Sequence, residues 1–182
     1  LGDGRGRVTL RAVGSQDASA LPGPHGQVTA LAFSGDANRL LSGGAKGALA
    51  VWDVRQRRVT RILTASGAKV TAVALRGDGR VGVAGRADGS LVAWDVVSGR
   101  PVARLAGHEQ GVRDVALHAG GARLASASSD GTVALWRLPG GTLERRLQGH
   151  QGAVNAVDLS EDGRLVLTGG ADRTARLWTV VG

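Results

Sequence analysis

The chain has 182 residues, of which 42% are hydrophobic, and 23 Lys and Arg against 15 Asp and Glu give it a net charge of +8. This is a globular composition, and the absence of cysteine excludes disulfides, thiolate metal sites and thiol nucleophiles. No apolar run approaches the roughly 18 residues of a membrane-spanning helix, and the basic charge alone does not separate an acidic partner from a coding bias towards arginine.

The tryptophans reveal an internal repeat. Trp52, Trp94, Trp136 and Trp178 follow one another at intervals of 42 residues, with no insertion between them. Fixed-period similarity of this length indicates a repeat architecture. We divide the chain into repeat 1 (23–64), repeat 2 (65–106), repeat 3 (107–148) and repeat 4 (149–182), with the end of an earlier repeat at 1–22. Because the chain starts at Leu1 and contains no methionine, we expect it to be a segment of a longer protein.

In chain order, the first predicted element is 7–13, which lies one period before Trp52 and is expected to be the corresponding strand of the earlier repeat. Each complete repeat then predicts four short strands, which in repeat 3 cover 112–117, 123–128, 132–137 and 142–147. Asp-Gly pairs between several of them supply the positive φ of hairpin turns. Repeat 4 ends in its third strand. The segment 15–21 could supply its fourth and close a four-sheet ring, but 7–13 would then be left over.

The apolar patterns within the strands predict how the sheets pack. The first and second strands do not alternate cleanly between apolar and polar residues, so both of their faces must be covered. A small four-stranded sheet packed between copies of itself is a β-propeller blade. The fourth strand is charged, for example at Arg58 and Arg61, and is expected at the outer edge, where charge discourages pairing with other chains. We therefore predict an all-β protein with about four blades of antiparallel strands.

The residues that punctuate the repeats resemble those of the WD40 repeat family. A Gly-His pair, a Leu-Ala-Ser strand, an Asp-Gly turn and a tryptophan follow one another in repeat 3, and a close variant recurs in repeat 4. The Trp-Asp pair that names the family is present at Trp52 and Trp94 but not at Trp136 and Trp178. The resemblance implies a complete ring of about seven blades. This chain is then expected to be an open arc with apolar faces exposed at both ends.

The resemblance also implies a hydrogen-bonded tetrad in each blade, made of His, Ser or Thr, Asp and Trp. The matching residues are His108, Ser126, Asp130 and Trp136 in repeat 3, and His150, Thr168, Asp172 and Trp178 in repeat 4. Such a network satisfies a buried indole N–H, which can only donate. Repeats 1 and 2 are expected to be looser. Their columns read Pro24, Ser42, Lys46 and Trp52, with His25 one place late, and Ser66, Ala84, Asp88 and Trp94. Because Lys46 cannot accept a hydrogen bond, we expect no network of this kind in repeat 1.

A hydrolytic triad is an alternative interpretation of His108, Ser126 and Asp130. It is disfavoured because the serine lies within a strand, Thr168 replaces it in repeat 4, and no Gly-x-Ser-x-Gly surrounds it. The histidines lack metal-ligand spacing. We therefore expect no catalytic residue, cofactor or metal.

Members of this family are typically non-catalytic platforms that bind proteins through the top face and rim of the propeller. Transferred by position, the expected partner-binding residues are Gln27, Thr29, Lys69, Thr71, Arg113, Ser129 and Asn155. The expected partners are other proteins or peptides, acidic ones among them. One alternative is a docking or sensory segment of a signalling protein with a kinase or nucleotide-hydrolysing domain elsewhere. Another is binding of nucleic acid or an acidic partner through the arginines of the outer strands, which for nucleic acid is disfavoured by the scarcity of aromatic residues.

Overall fold

The computed structural model describes residues 7–11, 18–23, 26–64 and 67–180, and every regular element within them is a β-strand. In this part of the chain there is accordingly no helix long and apolar enough to cross a membrane. The first two strands, β1 (Arg7–Arg11) and β2 (Ala18–Pro22), form an antiparallel hairpin.

Repeats 1 to 3 each fold into a four-stranded antiparallel sheet in which every strand pairs with the next along the chain. The strands of repeat 1 are β3 (Val28–Phe33), β4 (Arg39–Gly44), β5 (Ala48–Asp53) and β6 (Arg58–Thr64). Those of repeat 2 are β7 (Val70–Leu75), β8 (Val81–Arg86), β9 (Leu91–Asp95) and β10 (Pro101–Leu105). Those of repeat 3 are β11 (Val112–Leu117), β12 (Arg123–Ser128), β13 (Thr132–Arg137) and β14 (Thr142–Gln148). Repeat 4 forms a three-stranded sheet of β15 (Val154–Leu159), β16 (Leu165–Gly170) and β17 (Ala175–Thr179). The predicted all-β class and four-stranded blades are confirmed.

Burial follows the position of each strand in its sheet. The middle strands of repeat 3, β12 and β13, are buried at nearly every residue, whereas its outer strand β14 is mostly exposed. The middle strands are buried on both faces because successive sheets pack against one another. Leu41 and Val51 of repeat 1, for example, share one apolar cluster with Val70 and Trp94 of repeat 2. The packing of apolar side chains between neighbouring sheets therefore stabilises each repeat more than any other contact.

The sheets approach one another closely at glycine positions in the second strands. A Cβ atom at Gly85 would lie 2.4 Å from Cγ1 of Val112, which belongs to the next repeat. Glycine is required here by the proximity of the neighbouring sheet rather than by a turn.

Large apolar side chains are exposed in repeats 4 and 1. Leu167 and Leu177 in repeat 4 are 50% and 65% exposed, whereas the equivalent Ala125 and Leu135 in repeat 3 are fully buried against repeat 4. In repeat 1, Phe33 is 54% exposed.

The β1–β2 hairpin departs from the register of the repeats. In repeat 1, Leu49 pairs with Leu63. The same register 42 residues earlier would pair Arg7 with Leu21, but Arg7 pairs with Pro22. A slip of one residue exchanges the two faces of a strand, and it brings Val8 into the core while Arg7 is exposed. The predicted strand is therefore present over 7–11, and its pairing with β2 differs by one residue from that of the later repeats, because burying valine is favoured over burying arginine. Since β2 pairs with β1, the four-sheet ring considered from the sequence is not formed; residues 12–13 lie outside the described residues.

Candidate functional site

The four predicted side chains of repeat 3 are hydrogen-bonded in series. The Trp136 indole N–H donates to Ser126 Oγ at 2.9 Å, Ser126 Oγ lies 2.8 Å from His108 Nε2, and His108 Nδ1 lies 3.0 Å from Asp130 Oδ2. Because a carboxylate can only accept, Nδ1 carries the imidazole proton and Nε2 accepts from the serine hydroxyl. Every donor in the series thus has an acceptor.

The same series is present in repeat 4 with threonine in place of serine. Trp178 donates to Thr168 Oγ1 at 2.9 Å, Thr168 Oγ1 lies 2.8 Å from His150 Nε2, and His150 Nδ1 lies 2.9 Å from Asp172 Oδ2. Trp136 and Trp178, 42 residues apart, therefore occupy equivalent surroundings.

Repeat 1 contains one of these hydrogen bonds. Trp52 donates to Ser42 Oγ at 2.6 Å, although Lys46 stands in the aspartate position and is exposed. This bond does not need the aspartate, so it forms in repeat 1 as well; the expectation that repeat 1 has no complete tetrad stays a prediction. Pro24 and His25 lie outside the described residues.

Repeat 2 differs more. Ala84 offers no hydroxyl, Ser66 lies outside the described residues, and the Arg86 guanidinium lies over the Trp94 ring, 5.9 Å from its centroid. The lower rigidity expected for repeats 1 and 2 stays a prediction.

The electrostatics of the repeat 3 series favour a neutral histidine beside an ionised aspartate. Burial is the main cause of a lowered pKa for His108, and together with the charge of Arg146 it outweighs the opposite effect of Asp130. Burial raises the pKa of Asp130, but hydrogen bonds from Thr132, the Glu109 amide and His108 outweigh it, so this pKa lies below its ordinary value. In repeat 4 the backbone N–H of Gln151 is the main cause of a lowered pKa for Asp172.

This geometry does not suit a nucleophile. Ser126 is fully buried and lies within β12, and its hydroxyl is already hydrogen-bonded to both Trp136 and His108 inside the sheet. Over the described ranges no group of three or more His, Asp or Glu side chains is placed to hold a metal ion.

A separate cleft of about 630 Å³ lies where the first strands of repeats 1 to 3 begin. Its lining residues are Gln27, Val28, Thr29, Lys69, Thr71, Ala87, Gln110, Gly111, Val112, Arg113 and Ser129. Six of the seven residues expected to bind partners are in this lining; Asn155 is not, and is exposed on β15. Gln110 is not among the expected residues. It lies in the loop before β11, two residues before Val112, whereas most of the expected residues lie directly beside this valine or its equivalents.

A repeated backbone hydrogen bond brings the loops of this cleft together. The amide after each second strand donates to the carbonyl just before the first strand. The pairs are Ala45 to Gln27, Ala87 to Lys69, Ser129 to Gly111 and Ala171 to Ala153, at 2.8 to 2.9 Å. The cleft is therefore built on rigid strand ends.

The cleft is basic. None of the lining residues is acidic, and Lys69 and Arg113 are both exposed. Arg113 is exposed, and its Nε donates to Ser129 Oγ at 2.7 Å, which holds the guanidinium in place. Arg113 therefore offers an oriented pair of donors to a carboxylate.

The chain is similar to a known protein family. A family model described as "WD domain, G-beta repeat" matches residues 13–53, 99–137 and 141–179, which is more than half of the chain. The unmatched stretch 54–98 holds Ala84 and Arg86, where repeat 2 departs from the tetrad. No curated protein matches the chain.

Proposed function

The chain belongs to the WD40 repeat family, and on that premise we propose that it is a non-catalytic platform that binds acidic protein segments in the cleft formed by repeats 1 to 3. WD40 repeats generally mediate protein–protein interactions, and WD40 domains are generally non-catalytic.

The observation that carries the proposal is the cleft itself. Three consecutive repeats contribute to it, and its lining contains two cations and no carboxylate. An acidic segment in extended conformation could cross from Lys69 to Arg113 and form charge-assisted hydrogen bonds with both.

The character of the lining also suggests how strong the interaction is. Interfaces depend mainly on a few aromatic or arginine residues, with other contacts nearly neutral. The cleft has no aromatic residue and one arginine, so we expect an affinity on the order of micromolar and a strong dependence on salt.

The side chains of repeat 3 that resemble a hydrolytic triad are already engaged with one another. The histidine, serine and aspartate of repeat 3 are all engaged in the tetrad, with Ser126 fully buried. Their hydrogen bonds are used to satisfy the Trp136 indole, which is a structural task.

The test uses a fluorescently labelled octaglutamate peptide and anisotropy at low and moderate salt. The double variant Lys69→Glu/Arg113→Glu should weaken binding at least tenfold. The variant Arg58→Glu/Arg61→Glu changes the net charge equally, on the exposed outer strand β6, and should retain affinity within about twofold because distant charges are screened. Equal losses in both variants, or a greater loss in the control, would place the interaction on the outer strands and contradict the proposal.

A further inference from the structure

Arg86 is a buried cation in which two guanidinium nitrogens have no hydrogen-bond partner. The residue is only 4% exposed, and its Nε and Nη2 atoms are buried with no acceptor among the residues that the structure describes. Burying an unpaired charge is unfavourable unless other groups compensate it. The structure shows one such compensation, the Trp94 ring beneath the guanidinium, and a ring face leaves the N–H groups in the guanidinium plane unsatisfied.

The other repeats show that arginine is unusual at this place. Equivalent positions at the end of the second strand hold Gly44, Ser128 and Gly170. The Ser128 hydroxyl donates to the carbonyls of Gln110 and Gly111, at 2.9 and 3.2 Å, so that position is satisfied within repeat 3. The fold therefore does not need a cation here.

The charge of Arg86 is only partly compensated. Asp88 acts on it at a distance and raises its pKa, but Asp88 Oδ1 accepts from the amide and the hydroxyl of Ser90, at 3.0 and 2.7 Å, and Asp88 forms no ion pair with Arg86. A second cation, Arg104, is close enough to act on Arg86 as well. Burial is the main cause of the lowered pKa of Arg86, and Arg104 adds to it.

The two unsatisfied nitrogens indicate the shape of a group that fits them. Nε and Nη2 form one edge of the planar guanidinium, and two parallel N–H bonds from such an edge match the two oxygens of a carboxylate. Repeat 2 also lacks the hydroxyl acceptor of repeat 3, since Ala84 stands at the position where Ser126 accepts from tryptophan.

We propose that repeat 2 contains an anion site in which Arg86 Nε and Nη2 bind a single carboxylate-like oxyanion above Trp94. Arg104 strengthens the site by its charge. The carboxylate comes either from a small free anion or from an acidic side chain of a bound protein, because Arg86 directly precedes Ala87, which lines the cleft.

The test measures thermal unfolding in increasing sodium acetate at pH 7, with ionic strength held constant by sodium fluoride. The wild-type melting temperature should rise saturably, by roughly 3 °C at ten times the dissociation constant. Arg86→Ser places the residue of repeat 3 at this position and should abolish the rise. Arg80→Ser, an exposed arginine of the same repeat, should behave as wild type.

Arg86→Lys provides a second variant that keeps the charge but not the two parallel donors. It should shift the acetate dependence at least tenfold to higher concentration. A melting temperature that depends on acetate equally in wild type and Arg86→Ser, or that does not depend on it in wild type, would overturn the site.

Octaglutamate distinguishes the two sources of the carboxylate. If the affinity of Arg86→Ser for the peptide is lowered at least threefold while Arg80→Ser binds normally, the site takes a side chain of the bound segment. If the affinity is unchanged and the acetate effect is present, the site takes a free anion. The acetate measurement does not depend on peptide binding, so failure of the cleft and failure of this site are separable.

Discussion

Replacing Ser126 by alanine removes the hydroxyl that connects Trp136 to His108. The hydroxyl oxygen accepts the indole N–H at 2.9 Å and lies 2.8 Å from His108 Nε2. Serine and tryptophan are 0% and 1% exposed, so water cannot readily replace the lost bonds.

The expected cost follows from the two groups left without partners. A buried polar group that loses its hydrogen bond costs about 1–3 kcal/mol. The indole N–H and the imidazole nitrogen together should therefore lower the free energy of unfolding by roughly 3 kcal/mol, and cooperativity within the series acts in the same direction.

The assay is urea denaturation followed by far-UV circular dichroism and tryptophan fluorescence. Two probes are needed because a row of repeats can unfold in parts. Ser98→Ala is the matched control, since the Ser98 hydroxyl is exposed and bonds only at the surface, to the Arg100 amide at 3.3 Å and to the Asp95 side chain; it should change stability by less than about 0.5 kcal/mol because water can replace these bonds. A double-mutant cycle with Trp136→Phe should give a coupling energy of about 1 kcal/mol. If Ser126→Ala were as stable as Ser98→Ala, the network would not stabilise the blade.

Three further outcomes are expected. Because the pKa of folded His108 lies below its ordinary value of about 6.5, the unfolded chain takes up the proton first; the urea midpoint should therefore fall as pH is lowered through about 6.5, and His108→Gln should flatten this part of the profile. Leu177→Arg should reduce self-association in analytical ultracentrifugation because Leu177 is 65% exposed on an apolar sheet face, whereas Leu143→Arg on the outer strand β14 should not. Gly85→Val should destabilise the chain by about 1–3 kcal/mol in thermal melts, because its Cβ would lie 2.4 Å from Val112 Cγ1; an unchanged melting temperature would mean that the sheets separate easily.

The strands were predictable because one period fixes them all. Once Trp52 and Trp136 are aligned, the turns and the apolar runs of every repeat coincide, and local hairpins need no long-range information. The hairpin at the start shows the limit of this reasoning. Its register depends on which residue is buried. Val8 is buried instead of Arg7, because burying valine is more favourable than burying arginine, and the repeat alignment does not contain this information.

The candidate sites were predictable to different degrees. The cleft residues come from equivalent strand ends, so a position in the repeat is enough to place Lys69 and Arg113. Arg86 could not be recognised in this way. Its column holds glycine and serine elsewhere, and an arginine in a basic sequence indicates a solvated surface. Only its burial over Trp94 shows that it is different.

The most direct test of the interaction platform is an NMR titration of the ¹⁵N-labelled chain with octaglutamate. We expect the largest amide shift changes at Lys69, Thr71 and Arg113, around the cleft, with the tetrad amides nearly unaffected. Changes centred on Arg58 and Arg61 of the outer strand, with none at the cleft, would contradict the account.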